Sequence, residues 1–116
     1  MKISRRNKED VQVFELSGEI DFHTSPELRG QLLKVVEKQA SRVLVDLKRV
    51  SYIDSSGLAT FVEALQKMKR VNGQLVLAGL AAAVKSVFEI AKLDSVFLLA
   101  SSEEEGMKLL TAPTRS

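Results

Sequence analysis

Two short stretches hold the side chains whose types and spacing could do chemistry: Asp54-Ser55-Ser56-Gly57, and Asp21-Phe22-His23-Thr24 inside the run from Gly18 to Glu27. A serine beside an acid can serve as a nucleophile when a base lies within hydrogen-bond reach and a third group orients that base. His23 is the single imidazole in the chain, and Asp21 or Asp54 could orient it. No Gly-x-Ser-x-Gly elbow surrounds Ser55, and an exposed loop histidine is the plainer reading of His23. The residues therefore argue against an enzyme. The second chemistry is that of phosphate. A serine pair opening a helix meets backbone N–H groups without intrahelical partners and the positive end of the dipole, which favour a negative group by roughly 0.3–1 kcal/mol. Asp, Ser and Gly are also ordinary cap and turn residues, so these four alone specify only a helix start. The glycine-rich loops that cradle nucleotides are absent. Gly57, standing singly, either lets another surface approach the helix start or serves the turn itself.

The flanking elements give these stretches their positions. Arg42 to Leu47 is an apolar, β-branched run of strand length, and Val50 to Ile53 continues it toward Asp54. Leu58, Phe61, Val62, Leu65 and Met68 then recur at helical period as one stripe. Lys67, Lys69 and Arg70 suit the last turn of that helix, and Gly73 suits its C-cap. Earlier in the chain, residues 3 to 8 suit a polar edge strand and Val11 to Leu16 a strand covered on two faces, with Val11, Val13 and Glu15 on one side and Phe14 and Leu16 on the other. Ser17-Gly18 is expected to end that strand, leaving Glu19 to His23 as a loop. Thr24 and Glu27 stand at capping-box spacing, with Ser25 before Pro26 as the other possible cap. Leu28, Leu32, Val35, Val36 and Gln39 form the next helical stripe.

Leu75 to Ala78 is a further strand, Val84, Val87, Phe88 and Ala91 a third helical stripe, and Val96 to Leu99 a last strand. Ser101 and Ser102, each with a glutamate three residues on, open a fourth helix that docks through Met107, Leu109 and Leu110. Strands alternating with helices at this spacing specify an α/β fold, a mixed but mostly parallel sheet of about four to five strands with about four helices. The three apolar strands at 43–47, 75–78 and 96–99 are expected at its centre, and the first two strands as an antiparallel or mixed edge. The turn at 54–57 then falls at the carboxyl end of a central strand, where open α/β sheets place their sites.

Composition narrows the functional classes. A chain of 116 residues fits one domain, expected to occupy residues 1–110 with residues 111–116 as a frayed tail. It has no cysteine, which excludes disulfides and thiolate metal sites and is compatible with a reducing cytoplasm. One histidine argues against a histidine-rich metal centre, and no cofactor is implied. A net charge of +2 with 28% charged residues is no basic face for nucleic acid. No apolar run is long enough to insert into a membrane, and a soluble protein is expected.

A strand leading into Asp54-Ser55-Ser56-Gly57-Leu58 and an amphipathic helix, preceded by Gly18-Glu19-Ile20-Asp21 and Thr24, resembles the STAS family, in particular its bacterial anti-sigma factor antagonists. The likeness extends to about residue 110. It implies the STAS fold, Ser55 as the phosphoacceptor, and Asp21 within the phosphorylation surface. It also implies an ATP-dependent anti-sigma factor serine kinase as partner, bound by the unphosphorylated form and released by phosphorylation, and a metal-dependent serine phosphatase that reverses the step. Thr24, Asp54, Ser56 and Gly57 are expected to complete the partner surface, Asp54 either fixing the turn or orienting Ser55. A cytoplasmic location follows from the same resemblance. The alternative within the family is a scaffold without the switch, or a small subunit of a membrane transport complex.

Overall fold

A computed structural model describes residues 1–38 and 40–111 of the chain. The described elements are β1 (Lys2–Lys8), β2 (Val11–Ile20), α1 (Ser25–Glu37), β3 (Arg42–Ile53), α2 (Ser55–Arg70), β4 (Gln74–Ala78), α3 (Ala82–Ile90), β5 (Leu98–Ala100) and α4 (Glu103–Thr111). The sheet runs β1-β2-β3-β4-β5, antiparallel between β1 and β2 and parallel throughout the rest. Each parallel step moves one strand in the same direction. Right-handed crossovers then place α1, α2 and α3 on a single face.

That face holds the main core, where Phe14, Leu16, Val43, Val45, Leu47, Leu75 and Leu77 of the sheet meet Leu28, Leu32, Phe61, Met68, Val84 and Phe88 of the helices. The opposite face is left for α4, which returns over it. There Met107 and Leu110 cover Val11, Val13, Leu44, Val76 and Ala78. Strands buried on both faces need apolar residues at successive positions, which is why β3 and β4 read as continuous runs and not as alternating ones.

Several expectations are corrected. β2 does not end at Ser17-Gly18 but continues to Ile20, past register shifts against β3 between Glu15 and Ser17 and between Gly18 and Glu19. Gly18 takes φ +101, a backbone conformation that glycine adopts without a Cβ penalty, and so carries the strand through its irregularity. β1 and β2 form the expected antiparallel pair at one side of the sheet, and β2 joins it to β3 in parallel. β3 is central with β2 and β4 beside it, and β5 lies at the margin. The last strand starts at Leu98 and not at Val96, because the amides of Val96 and Phe97 both donate to the carbonyl of Leu93 at the end of the α3 turn. Phe97 is buried edge-on to Phe88, with ring centroids 5.7 Å apart.

The C-terminal end of α2 uses Asn72 at φ 57 as its left-handed residue, and Gly73 follows by donating its amide to Met68 O at 2.7 Å. Leu109 and Ala91 are exposed, and only Met107 and Leu110 of the expected α4 set dock. The start of α4 uses Ser102, whose Oγ accepts from Glu105 N at 3.2 Å, while Ser101 bonds the Glu105 carboxylate. Gln39, expected on the α1 stripe, and residues 112–116 of the tail lie outside the described residues.

Candidate functional site

The carboxyl end of β3 delivers Asp54 to the start of α2. Asp54 is in extended backbone, and its Oδ1 accepts from Ser56 N at 2.9 Å and from Gly57 N at 3.2 Å, while its carbonyl accepts from Leu58 N at 3.1 Å. Two of the N-terminal amides that a helix leaves without partners are thereby satisfied. Asp54 is thus the N-cap of α2. Ser55 follows as the first helical residue and is exposed. Ser56 is half-buried, and its carbonyl accepts from Thr60 Oγ1 at 3.0 Å.

Gly57 is buried, and its position is explained inside the molecule. A Cβ there would stand 2.6 Å from Ile53 Cγ1 and 2.7 Å from Ile20 Cγ2. The surface that approaches the helix start so closely is the chain's own sheet. Ser55 consequently projects from a turn backed by buried isoleucines and held by its cap.

The β2–α1 connection leaves the same end of the sheet, since Ile20 and Ile53 are parallel ladder partners. The two connections are joined directly by Asp54 N donating to Ile20 O at 3.1 Å. Asp21 Oδ1 accepts from His23 N at 2.9 Å and from Thr24 N at 3.1 Å, and Asp21 O accepts from Ser25 N at 2.8 Å. Thr24 Oγ1 accepts from Asp21 N at 2.9 Å and donates to Glu19 O at 2.9 Å.

The capping box expected from Thr24 and Glu27 is not formed. Thr24 occupies the cap position without a side-chain cap bond, because its hydroxyl turns back into the loop. Ser25, the other expected cap, lies within α1 and is buried. Partial desolvation pushes the Asp21 carboxyl upward, but the amides of Thr24 and His23 and the Thr24 hydroxyl outweigh it and hold the group below the usual aspartate range.

At the tip of this loop Phe22 and His23 are exposed and stacked, with centroids 3.9 Å apart. Among the described residues the imidazole makes no hydrogen bond to Ser55 or to either aspartate carboxylate, so the serine–histidine–acid relay is not assembled. Phe22 is an aromatic residue in a polar turn with no helical or strand stripe to join, which accounts for its exposure.

A groove of about 500 Å³ lies elsewhere, on the α4 face, lined in part by Arg6, Glu15, Asp46 and Glu103. Carboxylate oxygens of Glu15, Asp46 and Glu103 lie within 4.8 Å of one another. Arg6 pairs with both Glu15, at 2.7 Å, and Glu103, and its hydrogen bond holds the Glu15 carboxyl below the usual range despite desolvation. Asp46 Oδ1 accepts instead from the Lys48 amide at 2.9 Å.

Comparison with known proteins supplies a family. The profile described as STAS domain matches residues 2–106. The anti-sigma-B factor antagonist of Bacillus subtilis (strain 168) is 34% identical over 104 residues, covering 90% of this chain and 94% of the relative. The crystal structure of an anti-sigma factor antagonist from Mycobacterium paratuberculosis superposes with a TM-score of 0.87 at 23% identity, over 94% of this chain and 92% of that one. The Bacillus cell fate determinant SpoIIAA, solved in its phosphorylated form, gives 0.74 at 21% identity, over 93% of this chain and 98% of that one. At such identities the two structures speak to the fold, a five-stranded mixed sheet with four helices among the described residues. With a profile that spans nearly its full length and a curated relative above 30% identity, this chain belongs to the STAS domain family.

Proposed function

We propose that this protein is a cytoplasmic anti-sigma factor antagonist that works by partner switching at Ser55. The unphosphorylated form binds an anti-sigma factor serine kinase, ATP-dependent phosphorylation of Ser55 ends the complex, and a serine phosphatase restores the binding form. The observation that carries this reading is an exposed serine hydroxyl at the first position of α2, directly after its capping aspartate. The likeness to the Bacillus subtilis antagonist and to a protein solved in phosphorylated form supports it. The protein acts as substrate and ligand, with no cofactor and no direct role for nucleic acid.

The switch follows from charge. A phosphate on Ser55 adds about −1.5 to −2 charges beside Asp54. Within the chain the helix N-terminus tolerates it, and the turn is backed by Gly57 pressed on Ile20 and Ile53, so the fold has little reason to change. In a desolvated interface the same charge, unpaired, costs about 2–5 kcal/mol, and about 1.4 kcal/mol is tenfold in affinity. Binding is therefore lost without a conformational change. Asp21, Thr24, Asp54, Ser56 and Gly57 support the partner surface, the buried Gly57 doing so by setting the position of the helix start.

Incubation of the protein and of Ser55→Ala with an anti-sigma kinase and ATP, followed by intact mass, tests the assignment. One phosphate on the wild type and none on the variant is expected. Phosphate persisting on Ser55→Ala would move the switch to another residue.

A further inference from the structure

We propose that Phe22 is the apolar anchor through which the unphosphorylated protein holds its anti-sigma kinase, an assignment that rests on the switch reading above. Phe22 is 65% exposed in a chain whose other phenylalanines are buried. It lies in the connection that leaves the Ser55 end of the sheet, tied to the Ser55 turn through Asp54 N and Ile20 O. A ligand surface continuous with the phosphoacceptor is thus apolar at one point and charged at the next.

The loop holds the backbone that carries this ring. Asp21 Oδ1 closes the turn beneath it through two amides, Thr24 Oγ1 clamps Asp21 N and Glu19 O, and the His23 ring lies against it, tilted by 35°. Little backbone freedom is left to lose on binding, which favours an aromatic side chain with only two rotatable bonds as an anchor. Glu19 and Glu27 are exposed on either side of the loop, with Asp21 and Asp54 closer in. That charge pattern fits a kinase surface with an apolar pocket and a basic rim, and it opposes any added phosphate. Phe22 then supplies affinity, and Ser55 gates it.

Ile90 provides an internal control. It is 82% exposed, but it ends α3, which runs from the carboxyl end of β4 back to the start of the parallel β5, so it lies at the opposite end of the sheet from Ser55.

The test uses the full chain in a Ser55→Ala background, so that no phosphate enters, and titrates it into each purified anti-sigma serine kinase from the same genome. Adding Phe22→Ala is expected to weaken the complex at least tenfold, Phe22→Leu to recover most of the loss, and Ile90→Ala to leave affinity within twofold. Thermal unfolding should be unchanged for all three. Equal affinity with and without Phe22, or an equal loss from Ile90→Ala, overturns the anchor while leaving the switch standing. A complex formed by neither the wild type nor Ser55→Ala overturns the switch reading, and the anchor with it.

Discussion

The two connections that leave the carboxyl end of the sheet start their helices in opposite ways. At α2 the side chain of Asp54 reaches forward and bonds the amides of Ser56 and Gly57, so the helix is capped and the preceding strand runs straight into it. At α1 the side chain of Thr24 reaches backward to Asp21 and Glu19, so the helix goes uncapped and the loop is tied instead. One arrangement fixes a helix start and leaves the Ser55 hydroxyl exposed. The other fixes a loop tip and leaves Phe22 exposed. Polar side chains consumed in holding backbone are what make both exposed groups well placed, and this separates the site from the groove around Arg6, where Arg6 pairs with Glu15 and Glu103.

Substitutions at each connection can break this contrast. The largest effect is expected from Ser55→Asp, a permanent charge at the gate, which should weaken kinase binding at least tenfold in calorimetry while leaving the unfolding midpoint nearly in place. Gly57→Ala comes next. Its Cβ would overlap Ile53 and Ile20, so a loss of about 1–3 kcal/mol is expected in urea denaturation, with reduced phosphorylation as the helix start shifts. Asp54→Ala removes a cap and should cost about 1 kcal/mol in the same measurement, with Asp54→Asn recovering most of it. Thr24→Val removes two loop hydrogen bonds, so kinase affinity should fall more than stability, which should drop by about 1 kcal/mol.

The smallest effect is one of pH. Because the folded Asp21 carboxyl titrates below its unfolded value, its contribution is present above the unfolded pKa and is lost as pH falls through the lowered folded one. Acid should therefore loosen the β2–α1 loop, seen as faster amide exchange at His23 and Thr24, and Asp21→Asn should flatten that dependence.

Much of this arrangement was legible in the residues. Of the expected α2 stripe, Leu58, Phe61, Leu65 and Met68 are buried and Val62 is half-buried at its border, and Asp before Ser-Ser-Gly marks the cap. What the residues concealed were choices made by backbone geometry. Nothing in Ser17-Gly18 says that a strand survives two register shifts, because a bulge keeps the pairing that local propensity would end. Val96 and Phe97 have strand-like side chains, yet their amides answer Leu93, a partner set by where α3 stops. Thr24 has capping-box spacing, but Asp21 and Glu19 offer its hydroxyl nearer partners. Gly73 was the residue expected to cap α2, but the left-handed conformation falls one residue earlier, on Asn72, and Gly73 contributes its amide to Met68 O instead.

The most direct measurement compares the Ser55-phosphorylated protein with the unphosphorylated one, each titrated into the anti-sigma kinase and each melted alone. Affinity should fall at least tenfold on phosphorylation while the melting midpoint moves by no more than about 4 °C, roughly 1 kcal/mol for a domain of this size. Unchanged affinity, or a melting transition lost on phosphorylation, would contradict a switch that acts through charge at a fixed surface.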